Sequence, residues 1–384
     1  MPAFSFIITI AMLSAFGLIA SDIYLPAMPA MVHDLNVAPS HISQTVSVYL
    51  AALAIAQLFC GPLSDRLGRK PVLFVGIVLY IAGSLGCATT NDYGMFLLFR
   101  VFEALGAAAG LVIGRALIAD TCDKHTSAKV YSVVYPLVSL SPALGPVIGG
   151  HLAVLFGWHA DFIFVALFGL LTLLLVFFLT ETRPRSMRAA TSPFAGFHQI
   201  FADVSFWRYT LIVCCIYSAW FIYLTQSPFL FAQMGVTEEA RGWLYLPLTA
   251  GIIGANLLTK RLLNIWHYDN IVRTGIYCFL LGGVAYAVVL ISGSQSVSGI
   301  LVPMCLVSLA NGSSLSLAVS GAVSGEHGHT ATASGLVGFM QIGSAALCAT
   351  IVSTGLGINQ LNLGGSILVL AMFALIVSSL GRRN

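Results

Sequence analysis

The chain has 384 residues, enough for two or three soluble domains, but its composition excludes that reading: 58% of residues are apolar and only 8% charged. A soluble protein carries roughly 25% charged residues, so 17 Lys+Arg and 14 Asp+Glu leave a surface of this size uncovered by charge. A net charge of +3 spread along the chain gives no basic patch for nucleic acid, and lipid is the solvent that such a surface suits.

A helix needs about 20 apolar residues to cross roughly 30 Å of hydrocarbon. In chain order, runs of that kind fall at 4–30, 41–60, 72–90, 95–119, 129–153 and 158–180. Six more follow at 208–232, 239–262, 270–291, 299–322, 329–353 and 361–380. The first lacks a basic leader and ends in Asp22-Ile23-Tyr24-Leu25-Pro26, so it is expected to stay as a span and not to be cleaved. The sole long polar stretch holds Arg183, Pro184, Arg185, Arg188 and Pro193. It predicts a six-helix half over 1–182, a cytoplasmic linker over 183–207 and a second half over 208–384.

Charge then sets the expected orientation. With the N-terminus inside, Arg66, Arg69, Lys70, Lys124, Lys129, Arg183, Arg185 and Arg188 all fall in inner loops. Arg208, Lys260, Arg261, Arg273, Arg382 and Arg383 lie on or near that side, and Arg241 is left outside. This asymmetry predicts that both termini are cytoplasmic. The eight cysteines lack metal-ligand spacing and sit mostly in apolar runs, where they read as small fillers. Loops of mostly ten residues or fewer leave no room for a soluble catalytic domain. A nucleotide-cradling Gly-rich loop with Lys-Ser/Thr is also missing, which argues against an enzyme and against ATP as the driver.

Motifs sharpen the class. The loop Gly61-Pro62-Leu63-Ser64-Asp65-Arg66-Leu67-Gly68-Arg69-Lys70-Pro71 reads as a tight turn in which glycines permit the bend, Asp65 caps or pairs, and cations meet headgroups. Its pattern resembles the signature loop of the major facilitator superfamily. Arg100-Val101-Phe102-Glu103-Ala104-Leu105-Gly106 is similar to the fourth-helix motif of its drug:proton antiporters. Ser141-Pro142-Ala143-Leu144-Gly145-Pro146-Val147-Ile148-Gly149-Gly150 is similar to their fifth-helix motif. With Ser21 to Pro26, the chain resembles the Bcr/CflA family of bacterial exporters. Gln226-Ser227-Pro228-Phe229 and Ala310-Asn311-Gly312 look most like its purine-nucleoside-exporter branch. Glu103 stands where that family usually has Gln, and His159 where it often has Arg.

The resemblance implies an all-α integral membrane protein of the major facilitator fold, with twelve transmembrane helices in two six-helix halves. It implies a bacterial inner-membrane exporter of drugs or other planar, amphipathic small molecules, driven by the proton gradient with no cofactor or metal and working as a monomer. A narrow exporter of purine nucleosides, peptides or a siderophore is the alternative.

Ionisable groups inside a bilayer are costly, which makes Asp22, Arg100 and Glu103 the expected proton-coupling groups. At 1.5 Å per residue all three lie roughly 8–12 Å below the outer interface. Asp22 is the expected carrier, because Glu103 has Arg100 one turn away. Pro26 and Pro29 lack N–H groups, so the carbonyls of Asp22 and Leu25 are expected to be free. Tyr24, Tyr49, Tyr217, Trp220, Tyr223, Gln226, Asn256, Asn311 and Gln341 are expected at the substrate, where rings and amides suit a flat ligand. Gly61, Asp65, Arg66, Gly68, Arg69, Lys70, Arg115, Asp120, Pro142, Gly145, Pro146 and Gly149 are expected to serve conformational gating. Within that set, Arg115 is a possible partner of Asp120, and Gly145 is expected at a close helix contact.

Overall fold

The computed structural model describes residues 4–122, 130, 141, 142, 144–182, 197–293, 295–323 and 330–379. The described residues are helical throughout, without a strand. That is the physical requirement of a backbone in hydrocarbon, where each N–H and C=O must be satisfied within its own segment. Among the described residues, eleven helices are long and apolar enough to cross a membrane. The twelfth predicted span is described over its second part as α6, Leu144–Phe156. The arrangement is an all-helical membrane fold consistent with twelve spans. Lys124, Lys129, Arg183, Arg185, Arg188, Arg382, Arg383 and the segment 183–196 lie outside the described residues.

Contacts divide the chain into two compact units, one of residues 1–37 and 48–193, the other of 38–47 and 194–384. In the first, α1 (Phe4–Asp22) leads through a 3-10 turn, Leu25–Ala27, into α2 (Met28–Asp34). Next come α3 (Pro39–Leu67), whose residues 39–47 are counted with the second unit, α4 (Arg69–Thr89), α5 (Tyr93–Thr121), α6 and α7 (His159–Phe177). Helix α4 packs on α5 and α7, and α1 packs on the same two. The close approach is made by glycine: a Cβ on Gly106 would fall onto the Gly76 carbonyl and Tyr80 backbone of α4. Small residues at such crossings let helices touch along their backbones.

In the second unit, α8 (Phe197–Ala202) precedes the long α9 (Val204–Gln233). The span expected at 239–262 is broken into α10 (Glu238–Trp243) and α11 (Leu246–Leu262), with Pro247 in the first turn of α11. Then follow α12 (Tyr268–Ile291), α13 (Val297–Ala310), a π-helical turn Asn311–Leu315 and α14 (Ser316–Val323). The unit ends with α15 (Thr330–Thr350), a second π turn Ile351–Leu356, and α16 (Gln360–Ser379). Several helices start where a side-chain oxygen takes an orphan N–H: Asp92 from Met95 at 2.8 Å, Asp203 from Ser205 at 2.8 Å, Ser296 from Gly299 at 3.1 Å. Helix α9 is the enclosed one, with 89% of its most apolar window buried against 33–56% in the other spans. Most of its polar side chains are therefore buried against protein.

Candidate functional site

Three charges that the sequence places in the membrane come together in the first unit, all essentially excluded from solvent. Arg100 and Glu103 lie one turn apart on α5, and Arg100 donates from Nη1 to the Glu103 carboxylate at 2.5 Å. The other Glu103 oxygen accepts from the Ser84 hydroxyl of α4 at 2.8 Å. Arg100 also donates to the Ala20 carbonyl at 3.0 Å and reaches the Tyr24 hydroxyl at 3.5 Å. Its guanidinium lies 4.2 Å from the Tyr49 ring centroid, 4.8 Å from Tyr24 and 5.8 Å from Phe162. Aromatic faces replace part of the hydration that a buried cation gives up.

Asp22 is placed differently. Among the described residues its carboxylate accepts one hydrogen bond, from the adjacent Ser21 hydroxyl at 2.7 Å, and has no cation within ion-pair distance. Helix α6 closes over it, since a Cβ on Gly145 would stand 3.6 Å from the Asp22 Cβ. The tighter crossing is at Gly149, where a Cβ would overlap the Ile23 carbonyl oxygen. Close contact therefore falls one turn after the expected Gly145.

The basic loop becomes a network at the α3–α4 junction. Only Gly68 makes the turn, at φ 105°, a conformation L side chains rarely adopt. Gly61 sits inside α3 and is not part of the bend. Arg69 pairs with Asp65 at 2.9 Å and Asp120 at 3.0 Å, and donates to the Ser64 hydroxyl at 2.6 Å. The Glu181 carboxylate spans the first turn of α4, accepting from the Arg69 and Lys70 backbone N–H groups at 2.9 and 3.1 Å. Lys70 donates to the Phe177 carbonyl at 2.7 Å. A negative group over a helix N-terminus meets unpaired donors and the positive end of the dipole at once.

In the second unit, Tyr223, Gln226 and Ser227 share the enclosed part of α9. Ser227 and Tyr245 exchange a hydrogen bond of 3.0 Å, and Trp220 and Tyr223 lie 6.4 Å apart by ring centroids. The Gln226 amide is fully buried, and neither its oxygen nor its nitrogen has a hydrogen-bond partner.

The family model of the Major Facilitator Superfamily matches residues 7–349. The chain belongs to that superfamily. A chloramphenicol resistance protein of Pseudomonas aeruginosa is 31% identical over 327 residues, 84% of this chain and 78% of that one. The multidrug resistance protein MdtL of Citrobacter koseri is 28% identical over 350 residues, 91% of this chain and 88% of its own. These relatives agree with a Bcr/CflA-like membership. A crystal structure of a D-xylose-proton symporter superposes with a TM-score of 0.75 at 14% identity, covering 97% of both chains. An inward-facing bacterial homolog of the human lysosomal transporter Spinster gives 0.72 at 14%, covering 97% and 95%. The fold is that of the major facilitators, and the protein is a multi-pass membrane transporter, not an enzyme.

Within this facilitator the expected residues have the following surroundings. Tyr24 and Tyr49 are fully buried against Arg100, which needs their faces, and Tyr49 also donates to the Gly17 carbonyl at 3.1 Å. The carbonyl used near the proline break is that of Ala20, taken by Arg100, and the Leu25 carbonyl accepts from the Met28 N–H in the 3-10 turn. Arg115 donates to the Leu111 carbonyl of its own helix, and Asp120 goes to Arg69 and Thr182. Arg66 is exposed; Pro142 is half-buried and Pro146 buried beside Gly145. Tyr217 is half-buried with its ring 5.0 Å from Phe221. Asn311 starts the first π turn, Asn256 accepts from Ser316 at 3.2 Å, and Gln341 is half-buried on α15. No hydrogen bond among the described residues joins Asn256, Asn311 or Gln341 to Gln226. Sequence reasoning missed Ser84 and Glu181 as partners, and did not foresee that Ser21 donates to the Asp22 carboxylate. A lone acid immediately after an apolar span was the available signal for Glu181.

Proposed function

We propose that this facilitator is a proton-coupled antiporter that exports small planar or amphipathic molecules, drugs among them, across the inner membrane of a bacterium by alternating access. It works as a single chain, with the proton gradient as its only energy source and no cofactor. The observation that carries the reading is the unequal treatment of two buried acids. Glu103 is held by Arg100 and Ser84, whereas among the described residues Asp22 has only the Ser21 hydroxyl. A lone buried carboxylate is costly, and a proton removes that cost. Asp22 is thus the group whose protonation changes as the transporter cycles, and the Arg100–Glu103 pair sets the field around it.

Export of drugs is supported by the relatives, one named for chloramphenicol resistance and one for multidrug resistance. Trp220, Tyr223 and Gln226 on α9 are the proposed contacts for a flat cargo. The test is efflux from proteoliposomes under an imposed pH gradient, with ethidium and with a purine nucleoside as cargo. Asp22→Asn is expected to abolish gradient-driven efflux while leaving cargo binding in place; full-rate driven efflux in the variant refutes the assignment. Which cargo is moved by the wild type decides between a drug exporter and a narrow metabolite exporter.

A further inference from the structure

The second unit carries a cavity of about 430 Å³ that none of the functional assignments uses. Its walls come from Ile222 on α9, Cys348 and the π turn Ile351–Leu356, and Leu361 to Leu370 on α16. The π turn shapes it: the Gly357 N–H bonds to the Val352 carbonyl, five residues back, at 3.1 Å. One extra residue per turn widens the helix locally and holds α15 off the start of α16. Gly365 deepens the gap, since a Cβ there would meet nothing within 4 Å.

The lining identifies the kind of ligand. Its only polar side chains are Asn362 and Ser366. The Asn362 amide nitrogen is committed to the Leu356 and Gly357 carbonyls at 2.7 and 3.1 Å, which fastens α16 to the end of the π turn. What remains is hydrocarbon, and the rim residues Leu361 and Val369 are 64% and 65% exposed in spans built to face lipid. A polar or charged cargo finds little here to replace its hydration. A flexible alkyl chain finds apolar walls on both sides and a volume in the range of small-molecule sites.

We infer that this slot is a binding site for one acyl chain of a membrane phospholipid, seated between the π turn of α15 and the glycine face of α16. The chain packs against side chains that a rigid helix pair would leave without neighbours, so it supports the wide turn. This inference is independent of the export reading.

The test uses the full-length protein in phosphatidylethanolamine–phosphatidylglycerol vesicles doped with a phospholipid carrying a diazirine on one acyl chain. After photolysis and digestion, label is expected to concentrate on residues 348–370, above the level on the lipid-exposed side chains of α7. Gly365→Leu fills the slot and is expected to cut that label at least fivefold with α7 unchanged. Should the leucine variant not purify as folded protein, Gly365→Ala is expected to give a drop of about twofold. Three results overturn the inference: label spread evenly over all lipid-facing helices, label at 348–370 unaffected by filling Gly365, or displacement of the lipid probe by ethidium, which gives the slot to cargo.

Discussion

Removing the carboxylate of Glu103 isolates Arg100 in the membrane-spanning interior, and the cost follows from the contacts. The pair is 2.5 Å long with both side chains fully buried. Breaking such a pair by removing one partner costs about 3–5 kcal/mol, because a charge stays buried without its counter-charge. In Glu103→Gln the amide oxygen still accepts one hydrogen bond. Arg100 also keeps the Ala20 carbonyl and the Tyr49 and Tyr24 faces, with each ring contributing roughly 0.5–2 kcal/mol. The expected loss therefore sits at the lower end, about 3 kcal/mol, or roughly a hundredfold in the folded-to-unfolded ratio. The assay is equilibrium unfolding of purified protein in mixed micelles, followed by tryptophan fluorescence. The double variant Arg100→Met/Glu103→Leu removes both charges and is expected within about 1 kcal/mol of wild type, because well-packed apolar residues replace a buried pair at little net cost. A Glu103→Gln loss below about 1 kcal/mol, or a double variant as unstable as the sum of the singles, refutes the reasoning.

The α1–α6 crossing separates two glycines with different demands. Gly149→Ala drives a methyl into the Ile23 carbonyl and is expected to cost about 1–3 kcal/mol in the same unfolding assay, with efflux reduced as the helices part. Gly145→Ala meets ordinary contact distances and is expected to stay within about 0.5 kcal/mol of wild type. Equal effects at the two positions would remove the close-contact assignment. Gln226→Leu takes away an amide that is buried without partners and is expected to raise stability by about 1–3 kcal/mol. A destabilisation of that size would mean that the amide is satisfied in the membrane by a group the protein depends on.

Fold class was legible from the chain because a bilayer tolerates few solutions: runs of about 20 apolar residues must be helices, and their number and motifs sufficed for the superfamily. The meeting of Arg100 and Glu103 was equally legible, since i and i+3 share a helix face and hydrocarbon leaves two opposite charges little choice. Other assignments depended on contacts between segments far apart in sequence. The same rule that made Tyr24 and Tyr49 candidates for a ligand could not rank a ligand above Arg100. Only the packing of α1, α3 and α5 decided that the cation takes both rings. Asp120 went to Arg69, which also pairs with Asp65, and not to Arg115 on its own helix, and Glu181 found the start of α4 across 111 and 112 residues of chain. The π turn before Gly357, which shapes the apolar slot, has no composition that marks it.

The sequence by itself determined the solvent, the helices and which charges had to lie in the membrane, because hydrophobicity and periodicity are local properties summed along a chain. The tertiary structure alone decided which acid, among the described residues, has a cation beside it and which has only a hydroxyl, because a counter-charge, an aromatic face or a backbone carbonyl is supplied by whichever helix packs against it.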